Sequence, residues 1–161
     1  MTGHRRPFRE AALALALSVL AGGCDTDPTI EGTVVRRHDQ CTGLQAGVTL
    51  VDRDAVAAIR GGNRLDTAGG DTVPDGDLVM IAISRGEQPT AGYGFDVDGF
   101  RREPGTAVVD VTWTTPSPDA MVAQVITHPC VVVGIAESDI AGLGRIEVRD
   151  QFGTVIGGVS R

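Results

Sequence analysis

Residues 78–84 read Leu-Val-Met-Ile-Ala-Ile-Ser, and this stretch decides the fold class. Apart from the final Ser84, its even-numbered and its odd-numbered positions are both apolar, whereas a half-exposed strand alternates apolar with polar residues. A strand with two apolar faces belongs in the middle of a packed structure, where both faces are covered. We therefore predict a central, buried strand at 78–84.

Strand patterns continue on both sides of this stretch. From residue 24 onward the chain holds 19 Val and 9 Ile against 5 Leu, and β-branched side chains favour strands. The whole chain has 22 Gly and 8 Pro, which indicates many turns rather than long helices. We predict further strands at 33–37, 48–51, 93–97, 107–114, 121–126, 130–135 and 145–148.

One short helix is predicted at 52–59, where Asp52 or Asp54 can cap the first turn and two glycines follow the last. A chain of 161 residues is expected to form one domain. The fold class is therefore mainly β, with α+β as the alternative. We expect a compact antiparallel sheet or sandwich of about six to eight strands with one short helix, over residues 33–161.

The N-terminal residues have the pattern of an export signal. A basic stretch precedes an apolar run from Ala11 to Leu20, which is too short for a bilayer span of about 20 residues. The run ends in Leu-Ala-Gly-Gly-Cys, which resembles a bacterial lipoprotein box with Cys24 as the lipidated residue. We predict a signal peptide at 1–23 and a lipidated tether at 24–32. Ordinary signal cleavage and an uncleaved anchor are the alternatives.

These features predict a protein of the bacterial cell envelope that lipid at Cys24 anchors to the membrane. Asp25 resembles an inner-membrane retention signal, which in a Gram-negative cell favours the periplasmic face of that membrane. Removing residues 1–23 leaves 11 Arg against 20 acidic residues, a net charge of −9. We expect no nucleic-acid partner, because phosphate contacts need clustered cations.

Two cysteines remain when Cys24 carries lipid. Cys41 and Cys130 would then lie in an oxidising compartment, where such a pair most often forms a disulfide. Two buried thiols are one alternative, and a zinc site completed by His38 and His128 is another. Neither a cofactor nor a metal is part of the prediction.

The segment after the central strand carries the most specific motif of the chain. Residues 86–93 read Gly-Glu-Gln-Pro-Thr-Ala-Gly-Tyr. They resemble the G-x-x-P-T-G-G-Y pattern of the C-terminal domain of the PrcB family, lipoprotein subunits of bacterial surface protease complexes, with Ala91 at one of the two glycines. The order of elements is also similar: a hairpin, a Pro-rich turn, a strand containing Gln124, a Thr-His-Pro step and an apolar strand follow. The PrcB-like region covers about 78–150.

The resemblance implies a protein that binds an exported peptidase and stabilises or regulates it. Proline fixes the backbone of the turn, glycine allows its reversal, and tyrosine offers a flat amphipathic surface. A purely structural turn, with its tyrosine in the core, is the alternative. The candidate partner-binding residues are those of the turn, the following strand and the Thr-His-Pro step: Pro89, Thr90, Gly92, Tyr93, Gln124, Thr127, His128 and Pro129.

The turn also resembles the P-T-T-G-Y loop of chagasin-type cysteine-protease inhibitors, although the other inhibitory loops of that family have no counterpart here. No G-x-S-x-G, H-E-x-x-H or phosphate-binding motif is present in the sequence. We therefore predict that the protein is not an enzyme. The alternative function is a structural or adhesion module of the cell envelope that has no protease partner.

Overall fold

The computed structural model of the protein describes residues 30–59 and 75–161. The predicted signal peptide, Cys24 and the tether before Ile30 lie outside the described residues. Within the described ranges, no helix combines the length and the apolar character that crossing a membrane requires.

The described residues form eight strands, one α-helix and a 3₁₀ helix, so the predicted β-rich class is confirmed. The 3₁₀ helix covers Glu137–Ile140. In chain order the other elements are β1 Gly32–His38, β2 Gly47–Val51, α1 Arg53–Ala58, β3 Leu78–Ser84, β4 Gly94–Glu103, β5 Thr106–Thr114, β6 Cys130–Ala136, β7 Arg145–Arg149 and β8 Val155–Ser160.

The strands build two four-stranded sheets, with orders β1-β6-β3-β2 and β4-β5-β7-β8. Most neighbouring strands are antiparallel, as predicted. The exception is the parallel pair of β5 and β7. After β5 the chain crosses to the other sheet to form β6 and then returns, so β7 enters beside β5 in the same direction.

The main core lies between the two sheets, because each sheet turns alternate apolar side chains toward the other. Burying these side chains away from water is the chief source of stability in such a sandwich. The fully buried side chains of this core include Ile81, Ile83, Val109, Val111, Val131, Val133, Ile135, Ile146 and Val148.

The outer face of the first sheet is also covered. Met80, Ala82 and Val132 on that face pack with Val56 of α1. The helix begins at an N-cap, where the side chain of Asp52 accepts a hydrogen bond from the Ala55 N–H at 2.7 Å. The strand at 78–84 is therefore buried on both faces, as its sequence predicts.

Two strand predictions were wrong. Residues 121–126, predicted as a strand, belong to none of the strands that the structure describes. Conversely, residues 155–160 were not predicted, since two glycines lower their strand propensity, yet they form β8. One of these glycines has a packing role: a Cβ on Gly157 would lie 2.7 Å from a methyl carbon of Val48 in β2.

Candidate functional site

Two loops meet at one end of the sandwich. The first covers residues 86–93, between β3 and β4, and the second covers residues 121–129, before β6. Gln88 and Thr127 join them: the N–H of Gln88 donates to the Thr127 carbonyl at 2.8 Å, and the N–H of Thr127 donates to the Gln88 carbonyl at 3.0 Å. We call these two segments the paired loops.

Further contacts hold the paired loops in register. The hydroxyl of Thr127, a buried residue, donates to the Thr90 carbonyl at 3.0 Å. The N–H of Ala91 donates to the Ala123 carbonyl at 3.0 Å. Because a buried polar group without a partner is costly, the hydroxyl of Thr127 helps to specify this one arrangement.

A third segment, directly after β1, fixes the second loop to the body of the domain. The N–H of His128 donates to the Asp39 carbonyl, and the N–H of Cys41 donates to the His128 carbonyl, both at 2.8 Å. Next to these bonds Cys41 forms a disulfide with Cys130, with their Cα atoms 5.9 Å apart. The structure thus contains the disulfide that the sequence predicts, and neither sulfur is available as a zinc ligand.

The first loop depends on Gly92, which has φ of +91°. That backbone conformation strongly favours glycine. A Cβ at this position would also approach Pro116 to 3.2 Å and Val122 to 3.3 Å. The positive φ and the lack of space each explain a glycine at position 92. The other glycine of the family pattern is replaced here by Ala91, whose φ is not positive.

Arg85 lies beneath the first loop and contacts two aromatic rings. Its guanidinium carbon is 5.1 Å from the centroid of the Tyr93 ring and 4.2 Å from that of Trp113, both within the range of cation–π attraction. The same guanidinium donates to the Thr114 carbonyl at 2.6 Å. Burial lowers the pKa of Arg85, and the charge of Tyr93 partly opposes this shift.

A groove opens beside Tyr93 between the edge strands β1 and β4. Farther from the loops these strands are in close contact, since a Cβ on Gly32 would lie 2.4 Å from the Phe100 ring. Near the loops the ion pair of Arg37 and Asp96 joins them at 3.4 Å. The groove encloses about 300 Å³ and is lined in part by Arg37, His38, Asp39, Tyr93, Phe95 and Pro129.

The second loop exposes apolar side chains. Met121 is fully exposed, Val125 is 51% exposed and Ile126 is 57% exposed. Gln124, between them, is also exposed. Contiguous exposed apolar surface is typical of interaction sites, and these three side chains lie within six residues of one another.

The structure brings all eight candidate partner-binding residues into the paired loops. Their exposure divides them into three groups. The exposed ones are Pro89, Gly92 and Gln124; the half-buried ones are Thr90, Tyr93 and His128; the buried ones are Thr127 and Pro129. The last two are therefore placed to support the loops rather than to contact a partner.

Sequence reasoning missed three exposed residues and two supporting ones. Met121, Val125 and Ile126 were assigned to a strand, and therefore not to a binding surface. The two supporting residues are Arg85 and Trp113, which stack on each other. They are far apart in the chain, so no local sequence pattern predicts their contact. Among the described residues, no group of three or more His, Cys, Asp or Glu side chains is arranged to hold a metal ion.

The described residues form a small β-sandwich of two sheets. The paired loops at one end of it carry the most distinctive motif of the sequence. Residues 79–136 of the chain match the family model described as PrcB C-terminal. The match runs from β3 through both loops to the end of β6, so the resemblance predicted from the 86–93 motif is confirmed. The family is a non-catalytic, accessory one. The match supports for this chain a role in association with a protease complex. No curated protein and no solved structure matches the chain.

Proposed function

We propose that the protein is a non-catalytic lipoprotein of the bacterial cell envelope that binds an exported peptidase and stabilises or regulates it. Lipid at Cys24 anchors it to the membrane. In a Gram-negative cell, Asp25 favours the periplasmic face of the inner membrane. The paired loops are the surface that contacts the peptidase.

One observation carries the proposal: the family match includes both paired loops, and these loops combine rigid backbone with exposed apolar side chains. Three backbone hydrogen bonds join the loops to each other, and the disulfide of Cys130 ties the end of the second loop to the domain. A surface that is ordered before binding loses little conformational entropy when a partner docks. Such preorganisation suits a subunit whose task is to hold another protein.

Affinity capture tests the proposal directly. The full-length, lipidated protein with a C-terminal tag is recovered from native membranes in mild detergent, and co-purifying proteins are identified by mass spectrometry. We expect a peptidase to be enriched with the wild-type protein and depleted with Tyr93→Ala. Tagging the recovered peptidase should in turn recover this protein.

The matched control is Phe152→Ala. Phe152 is 83% exposed in the turn between β7 and β8, outside the family match, and its removal should leave the capture unchanged. Recovery of wall or outer-membrane assembly proteins without any peptidase would contradict the proposal and favour the structural or adhesion module.

A further inference from the structure

The segment from Met121 to Ile126 has the composition of a strand but no partner strand. Its sequence is Met-Val-Ala-Gln-Val-Ile, which is rich in strand-forming residues. None of its six backbone N–H groups donates a hydrogen bond to the described part of the chain. Three of its carbonyls do accept one: Val122 from the Gln124 side chain, Ala123 from the Ala91 N–H, and Ile126 from the Gln40 side chain. An unpaired, apolar strand-like segment is a template for pairing with another chain.

We propose that this segment receives an extended strand of another protein, which pairs with its unused backbone N–H groups. The inference rests on the proposed function and deepens it, because it specifies what the peptidase presents. Strand addition of this kind obtains affinity from main-chain hydrogen bonds and selectivity from the alternate side chains. Val125 and Ile126 are half-exposed neighbours, so in an extended pairing they supply one apolar contact on each face.

The position of the segment favours a protein partner over the membrane. The chain enters β1 at Gly32 and reaches the paired loops only after His38, where Asp39 contacts His128. Seven strand residues span about 20 Å, so the apolar segment lies at the end of the sandwich opposite the N-terminal attachment. An anchor that precedes Gly32 is therefore attached at the opposite end of the sandwich and does not by itself bring the segment to the bilayer.

The charge around the segment specifies the flanks of the partner strand. Asp119 precedes the segment and is exposed, and Asp39 and Glu87, both exposed, lie close to His128. Two arginines also lie at this end of the domain: Asp96 offsets the charge of Arg37, and Arg85 keeps its charge but is half-buried against two rings. Acidic surroundings attract basic flanks and repel anionic headgroups. We therefore assign the partner strand an apolar centre with Lys or Arg at its ends.

A synthetic peptide tests this chemistry without the peptidase. The probe is an acetylated peptide of about nine residues, long enough for a full strand, in which Val and Thr alternate between terminal lysines. Added to the full-length, lipidated protein in detergent, it should bind and should slow amide hydrogen exchange across residues 121–126. A peptide with glutamates in place of the lysines should bind at least about fivefold more weakly.

Gln124 offers a matched pair of variants, because among the described residues its side chain donates a hydrogen bond only to the nearby Val122 carbonyl. Gln124→Pro removes a backbone N–H that the protein does not itself use, whereas Gln124→Ala keeps that N–H. Gln124→Pro should bind the peptide at least about tenfold more weakly than Gln124→Ala does, because the two variants lack the same side chain and differ in the backbone N–H. Ile126→Asp should also weaken peptide binding, whereas Phe152→Asp, which lies outside the paired loops, should not.

Equal binding by Gln124→Pro and Gln124→Ala would overturn the proposal, because the contact would then not involve the main chain. A dimer of the protein that Gln124→Pro dissolves would also overturn it and would identify a second copy as the occupant. Capture of a peptidase that neither Gln124→Pro nor Ile126→Asp disturbs would leave the proposed function standing and reject only the strand pairing.

Discussion

Gln88 and Thr127 exchange two backbone hydrogen bonds, at 2.8 and 3.0 Å, although 38 residues of chain separate them. This single antiparallel bridge converts two surface loops into one ordered surface. Next to it, the Thr127 hydroxyl reaches the Thr90 carbonyl at 3.0 Å. The surface that we propose for the peptidase therefore depends on a residue that does not itself reach solvent.

Thr127→Val should destabilise the protein, because it keeps the shape of the side chain but leaves the carbonyl of half-buried Thr90 without its hydroxyl donor. We expect a loss of about 1–3 kcal/mol in the free energy of unfolding, measured by denaturant titration. Thr127→Ser keeps the hydroxyl and should lose less. If the valine variant is as stable as the wild type, the hydrogen bond does not order the loops.

The same region shows what the sequence predicts and what it does not. The bounds of β3, 78–84, follow from the sequence because both its faces are apolar and polar residues flank it. Residues 121–126 are also rich in strand-forming residues, yet they form no ladder, since the segments that they contact, the first loop and the stretch after β1, offer no strand to pair with. Strand formation requires a neighbouring strand as well as propensity.

The reverse case is β8, where Gly157 and Gly158 lower the propensity but β7 supplies a ladder. The side chains that pack around Tyr93 also come from distant parts of the chain. Arg85, Tyr93 and Trp113 come from the end of β3, the first loop and β5, and only the packing of the two sheets brings them together. The motif predicted the position of the loop, but not the side chains beneath it.

Tyr93→Ala should weaken capture of the peptidase at least about tenfold, equivalent to roughly 1.4 kcal/mol. Tyr93 is half-buried and lines the groove, so its removal should destabilise the domain by less than the roughly 3–5 kcal/mol of a buried aromatic. A melting curve and a binding isotherm on one variant separate the two effects. A full core-like loss of stability would instead assign Tyr93 to the structural turn.

Loss of the disulfide should destabilise the domain and loosen the second loop together. Cys41 and Cys130 are 89 residues apart, and closing such a loop stabilises by at most roughly 4–5 kcal/mol in the chain-entropy model. The double variant Cys41→Ser/Cys130→Ser should therefore melt many degrees lower, at roughly 3–6 °C per kcal/mol. Protein exported to an oxidising compartment should show no alkylatable thiol from this pair under denaturing conditions. Two reactive thiols before reduction would contradict the pairing.

Cys24→Ala should abolish membrane anchoring. Since the thiol of Cys24 is the predicted acceptor of lipid, the variant should incorporate no labelled fatty acid, leave the detergent phase and accumulate as uncut precursor. The control is Cys41→Ser, which leaves the predicted lipoprotein box intact. A correctly processed, soluble Cys24→Ala product would show that an ordinary signal peptidase cleaves the chain.

The outer face of the second sheet predicts a specific pH dependence of stability. Glu103 accepts hydrogen bonds from Arg149 at 2.8 Å, to each of its carboxylate oxygens, and also from Arg101. These two guanidinium groups, Arg149 first, lower the pKa of Glu103 below its ordinary value of 4.5. A carboxylate with a lowered folded-state pKa stabilises the protein above its unfolded pKa and loses that contribution as the pH falls through its folded value.

Glu103→Gln should therefore be less stable than the wild type at neutral pH, and the difference should shrink as the pH falls below about 4.5. The measurement is the free energy of unfolding of both proteins between neutral pH and about pH 3. Because Glu103 is about one-third exposed, added salt should reduce the difference. The control is Asp119→Asn, which removes an exposed carboxylate that forms no ion pair with the described residues. A difference between wild type and Glu103→Gln that stays constant with pH would show that its arginine contacts do not favour the charged carboxylate.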